Sequence, residues 1–125
     1  VDGGVAAFRV EDVGARARLS PAWVSRDMKR GEPVVIANGL VFGYGSGEET
    51  QQVFSDAPQI KFDSSIRAAR GTHATIYALD AQTGKELWSS GDSIHQWNHF
   101  SGLTVANGRV YLGTYHGTLY CFGIE

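Results

Sequence analysis

Four histidines, His73, His95, His99 and His116, are the side chains here best suited to holding a metal or moving a proton. His95 and His99 stand at either end of the stretch HQWNH, and together with His116 they form a candidate metal group. Their spacing would put two ligands on one side of a helix, but the stretch lies between strands, and the acidic residue of a zinc-protease helix is missing between them. The stretch therefore also reads as structure, with Trp97 and Phe100 anchoring a loop and His99 satisfying backbone groups. His73 and His116 read equally as structural hydrogen-bond partners. The carboxylates Asp27, Glu48, Asp56, Asp63 and Asp92 fall into no catalytic motif. The lone Cys121 has no partner for an internal disulfide, and its apolar neighbours predict a buried thiol.

Whatever these groups do, a folded framework must position them. The chain has 125 residues, 42% of them hydrophobic and 11% aromatic, enough for one domain with a core of its own. Sixteen glycines against three prolines, with valine, tyrosine, phenylalanine and threonine in short runs, predict an all-β fold of strands joined by tight turns. A formal net charge of -2 gives no global reason to bind nucleic acid or an anionic membrane surface. No apolar stretch reaches the length of a membrane span, and VDGGVAAFRV at the start lacks the basic and long apolar regions of an export signal.

The sequence repeats itself. PVVIANGLVFGYGSG (33 to 47) and GLTVANGRVYLGTYHG (102 to 117) share one plan, an apolar strand, Ala-Asn-Gly, then a glycine-rich strand with valine and an aromatic residue. Asn-Gly between such strands predicts a two-residue hairpin, because both central positions of that turn need positive φ. GVAAFRV (4 to 10), TIYALD (75 to 80) and TLYCFG (118 to 123) form a second recurring element. The reading is nine strands in cyclic order, at 4–10, 18–25, 33–37, 40–45, 74–80, 85–90, 102–106, 109–115 and 118–124. Four-stranded meanders recurring at about 40 to 45 residues indicate a β-propeller, which closes with roughly 4 to 8 blades. The chain divides accordingly into 1–25, the end of one blade; 33–90, a second blade with an insertion at 46–73; and 102–125, a third lacking its last strand. A partial propeller of about two blades plus one strand is expected, completed by a longer protein or by other copies; a two-sheet sandwich is the alternative.

Meander order also sorts the loops. The segments 25–32, 46–73 and 91–101 and the turn at 116 belong to one end, with all four histidines and with Arg26, Lys29, Arg30, Arg67 and Arg70. The segment 46–73 far exceeds an ordinary connection, which marks it as a functional excursion or as a rim loop covering a blade. Within it DSSIRAAR predicts a short helix capped by Asp63 or Ser64.

Ala78, Asp80, Thr83, Gly84 and Trp88 match the spacing A-x-D-x-x-T-G-x-x-x-W of a tryptophan-docking motif. With the two Ala-Asn-Gly hairpins and the ending GRVYLGTYHGTLYCFG, the chain resembles the C-terminal blades of the PQQ-like (quinoprotein-type) β-propeller family. That family includes quinoprotein alcohol dehydrogenases and a non-catalytic outer-membrane assembly factor. In such a motif a small Ala78 admits a tryptophan ring, Asp80 accepts turn N–H groups and Gly84 supplies positive φ. The earlier copy departs from it, with Arg9 where Asp80 would stand and with Trp23 delayed by EDVGARARLSPA, which predicts weaker docking there. The resemblance implies a periplasmic or secreted protein, other propeller blades as partners, and a protein or small-ligand partner on the long-loop face. It leaves two roles, a non-catalytic binding or scaffolding module and a PQQ-dependent dehydrogenase using PQQ with Ca²⁺. The adjacent cysteine pair of the alcohol dehydrogenases is missing here, so the first is the principal reading. A metal-binding face built from His95, His99 and His116 is a third.

Overall fold

A computed structural model describes residues 3–49, 51–98 and 100–123. The fold is mostly β, and the described residues form nine strands in three antiparallel sheets, none of these closed on itself. Strands β1 (Ala6–Val13) and β2 (Arg16–Val24) form the first sheet. The second runs in the order β3 (Val35–Ala37), β4 (Leu40–Gly45), β5 (Thr75–Asp80) and β6 (Glu86–Ser89). The third runs β7 (Thr104–Ala106), β8 (Arg109–Gly113) and β9 (Leu119–Gly123). The meander order is the one read from the repeats, and there are three sheets instead of the two of a sandwich. No helix among the described residues is long and apolar enough to cross a membrane.

The Asn-Gly turns behave as their chemistry requires. Asn38 and Gly39 have φ of 50° and 77°, and Asn107 and Gly108 have 50° and 70°, the paired positive values of a tight hairpin. The first hairpin is longer than its sequence suggested. EDVGARAR continues both strands to a turn at Gly14 (φ 67°), with Glu11 facing Arg18 and accepting a 2.7 Å hydrogen bond from Ser20 Oγ. Cross-strand pairs of this kind sustain a ladder beyond the apolar run. The hairpin stands out from the core, with Phe8, Val10, Val13 and Leu19 exposed.

The second sheet is covered on both faces, and strand alternation assigns each residue its face. On one face Met28, Val41 and Leu79 form a core with Val5, Trp23 and Tyr77, toward the first sheet. On the other, Tyr44, Ile76, Ile94, Leu103, Val110 and Leu112 pack toward the third. Odd residues of β4 and β5 thus face one way and even residues the other. Tyr44, fully buried, donates its hydroxyl hydrogen bond to the Ser101 carbonyl. Burial, and secondarily the Glu32 carboxylate, pushes its ionisation well above the ordinary tyrosine value.

The turn joining β5 to β6 is built by Asp80, whose Oδ1 accepts from Thr83 N at 2.7 Å, Thr83 Oγ1 at 2.8 Å and Gln82 N at 3.0 Å. Gly84, at φ 71°, completes it. The ring seated on this turn is Trp23 of the first sheet, whose Nε1 donates to the Ala81 carbonyl at 3.1 Å. A Cβ on Gly84 would lie 2.5 Å from Trp23 Cε3, so only glycine admits the indole. The departures around Arg9 therefore do not prevent this contact between the first two sheets. Ala78 and Trp88, by contrast, are cross-strand partners in one sheet. Trp88 is 40% exposed, and its ring meets Phe122 of the third sheet at 5.4 Å. Cys121, expected inside, is exposed on β9, where it lines a groove with Trp88.

Two outcomes follow from this turn. Gly84→Ala should destabilise the chain by about 1–3 kcal/mol through overpacking and backbone strain, read as a lower urea midpoint with unchanged slope. Its hydrogen bonds, those from Thr83 above all, hold the Asp80 carboxyl below its ordinary 3.8, so its contribution is complete above that value and is lost as pH falls through the lower folded-state value. Tm measured against pH should accordingly drop in acid for the native chain and drop less for Asp80→Asn.

Candidate functional site

At the end of the sheets opposite the Asn-Gly turns, four connections converge. The β2–β3 connection presses against the end of β4, where Gly31 bridges to Gly45. A Cβ on Gly45 would lie 1.8 Å from the Met28 carbonyl oxygen, and one on Gly47 (φ 71°) would lie 2.4 Å from that of His73. These two glycines let both neighbouring segments meet backbone to backbone. The β2–β3 connection makes its bend at Lys29 and Arg30, both with positive φ, 43° and 63°. Long side chains rarely hold that conformation. The bend sends Met28 into the core, leaves Lys29 at the surface and turns Arg30 toward Glu48.

Glu48 is buried and clamped between two guanidinium groups. Arg30 Nε approaches its Oε2 at 3.2 Å, and Arg67 Nη2 donates to its Oε1. Arg67 comes from helix α1 (Ser64–Arg70), which starts at Asp63: the Asp63 Oδ1 accepts the Ile66 N–H at 2.9 Å. That bond, helped by Ser65 Oγ, holds the Asp63 carboxyl below its ordinary range. The clamp is why part of the long 46–73 segment is a docked helix and not an open loop. Arg70 of the same helix lies over the Phe62 ring at 4.3 Å, and Phe62 meets Phe54 edge-on at 4.6 Å.

Beside the clamp a buried polar chain ties the second sheet to the third. Asn98 N donates to the Ser46 carbonyl and Asn98 Nδ2 to the Gly113 carbonyl, each at 2.8 Å. Thr114 Oγ1 donates to Gln96 Oε1 at 2.7 Å, and the Gln96 carbonyl accepts from Ala74 N at 2.8 Å. Trp97 stacks on Tyr115 at 4.6 Å, with Tyr115 itself exposed.

The predicted site residues are dispersed through this end. His73 Nε2 lies 3.2 Å from Asp92 Oδ1. The His95 backbone N–H donates to Tyr120 Oη at 3.3 Å, and His116 meets the Tyr115 ring edge-on at 5.6 Å. His99 lies outside the described residues. Among the described residues no three His, Cys, Asp or Glu side chains gather as a metal site. Of the unassigned carboxylates, Glu48 is clamped, Asp63 caps the helix, Asp27 accepts the Lys29 N–H at 2.9 Å, Asp92 faces His73, and Asp56 is exposed. Glu48, Asp63, Asp27 and Asp92 thus each meet a protein donor. Sequence reading missed Ser46, Gln96, Asn98 and Thr114. Their only signal was a cluster of polar residues beside apolar strand ends, which a solvated loop gives equally.

A cleft of about 250 Å³ opens at this end between the β2–β3 connection and β5, walled by Arg26, Asp27, Lys29, His73, Thr75 and Tyr77. At the other end, between the second and third sheets, a larger groove of about 830 Å³ is lined by Phe42, Ala78, Leu87, Trp88, Cys121 and Phe122. No protein-family model, curated protein or solved structure matches the chain.

Removing the carboxylate from the clamp leaves two guanidinium groups facing each other. Glu48→Ala should therefore cost about 2–3 kcal/mol, measured by urea unfolding, and should speed amide exchange across 46–73 more than elsewhere.

Proposed function

We propose that the chain is a segment of a PQQ-like β-propeller from an exported protein, serving as a non-catalytic binding and scaffolding module. Its ligand or partner meets the long-loop end, and further propeller blades meet its open sheets. The observation that carries this reading is the seating of Trp23 on the Asp80–Gly84 turn. One sheet is keyed to the next through a residue pattern that the chain carries in its own repeat.

The unused half of the same relation supports it. Trp88, the motif's own tryptophan, stands 40% exposed over an apolar groove. On the far side, the first hairpin exposes Phe8, Val10, Val13, Leu19 and Val24. Apolar surface on this scale at both ends of a row of sheets is a contact surface. The non-catalytic part of the reading is supported by Glu48, Asp63, Asp27 and Asp92, which meet protein donors, and by the missing cysteine pair.

Molar mass by light scattering on a sizing column tests it. The chain should form a discrete particle at a multiple of 13.5 kDa, which Trp88→Ala or Phe8→Glu dissociates. A stable monodisperse monomer at 13.5 kDa, indifferent to both substitutions, would overturn the reading of these apolar faces as contact surfaces, and dye reduction with PQQ and Ca²⁺ would overturn the non-catalytic part.

A further inference from the structure

We infer that the cleft beside the Lys29–Arg30 bend binds a small oxyanion, a phosphate- or dicarboxylate-bearing molecule, with Lys29 as its charged anchor. The inference rests on reading the long-loop end as a binding face. The carboxylates at the rim already have partners. Asp27 Oδ1 accepts the Lys29 backbone N–H at 2.9 Å, Glu86 meets Arg26 Nη1 at 3.3 Å, and Asp92 meets His73 Nε2 at 3.2 Å. The Lys29 ammonium, among the described residues, has no ion-pair partner although it lines the cleft.

The walls are arranged for an acceptor-rich guest. Arg26 is held with its guanidinium carbon 5.1 Å from the Tyr77 ring centroid and makes its contact with Glu86 through one nitrogen, so other N–H groups remain to donate. Tyr77 adds a hydroxyl, while Thr72 Oγ1 and Thr75 Oγ1 donate to the Gly47 and Gly91 carbonyls at 3.2 and 3.4 Å. His73 is fixed from both ring nitrogens, Nδ1 lying 3.2 Å from the Ala74 carbonyl oxygen and Nε2 facing Asp92. The floor is backbone at Gly45 and Gly47. The volume, about 250 Å³, falls just below the ~300 Å³ at which pockets for drug-sized ligands begin, so the guest is small. Lys29 holds a positive φ of 43° in an exposed position, a conformation that an asparagine would hold more readily. The bend therefore presents a cation where geometry alone favours a shorter polar residue.

The test is a titration of the ¹⁵N-labelled full chain with inorganic phosphate, and separately with succinate, at constant ionic strength set by chloride. Saturable amide shifts are expected at 26–29, 45–47 and 72–77, with affinity reduced roughly tenfold or more by Lys29→Asn and also reduced by Arg26→Gln. Lys29→Asn suits the bend, so the variant should remain folded and give a native amide spectrum. Saturation by phosphate alone assigns a phosphate ligand, and saturation by succinate alone a carboxylate one. Shifts that do not saturate with either anion, that map elsewhere, or that both variants leave unchanged would overturn the inference. Particle mass is read on the same samples. An intact assembly without anion binding sinks this inference alone, and anion binding by a lone monomer upholds it while sinking the assembly.

Discussion

The contact on which the long-loop end depends is that of two backbones at Gly45. Any side chain there would collide with the Met28 carbonyl, 1.8 Å from the nearest possible Cβ, and push the β2–β3 connection off the second sheet. With the connection seated, Met28 fills the core between the first two sheets, and Arg30 reaches Glu48. Glu48 in turn holds Arg67 and therefore helix α1. Apolar packing, a buried ion cluster and the position of the cleft thus descend from one absent methyl group. The backbone strain at Lys29 and Arg30 has the same origin, because the chain must bend sharply to run along β4 and still bury Met28.

Two kinds of glue divide the molecule between them. Through the middle, alternating apolar residues bind sheet to sheet without direction. At the long-loop end, hydrogen-bonded polar groups set register and angle: Asn98 between Ser46 and Gly113, and Gln96 between Ala74 and Thr114. Buried groups of this kind are costly when unpaired, so they reject arrangements that an apolar core would tolerate. At the opposite end the Trp23 indole does similar work with a single hydrogen bond and a close fit to Gly84.

Most of the fold was legible because its signals are local. Asn38-Gly39 and Asn107-Gly108 demand turns, the alternation around them demands strands, and Asp63 announces the start of α1. The Asp80 turn was legible for the same reason, each of its bonds joining near neighbours. The site was less legible because its contacts are long-range. Nothing near Glu48 in sequence says that it will meet Arg30 and Arg67, and nothing near Cys121 says that its side of β9 will remain uncovered. The extra length before Trp23 looked like an obstacle to docking. Because it is absorbed as a longer hairpin, with the one extra residue of β2 taken up at an irregularity beside Ala7 and Phe8, the indole still arrives at its seat.

The two-sided second sheet limits how the chain can change length. In β4 and β5 the odd residues Val41, Tyr77 and Leu79 serve one core, and the even residues Phe42, Tyr44 and Ile76 serve the other. Inserting one residue within either strand would exchange the two sets, sending Tyr44 into space shaped for Val41 and the first sheet's partners toward the third. Such a shift would disrupt both cores at once, since each face carries its own packed set. Variation in length is thereby confined to the connections, and the 46–73 segment is where this architecture can absorb added chain without disturbing either core.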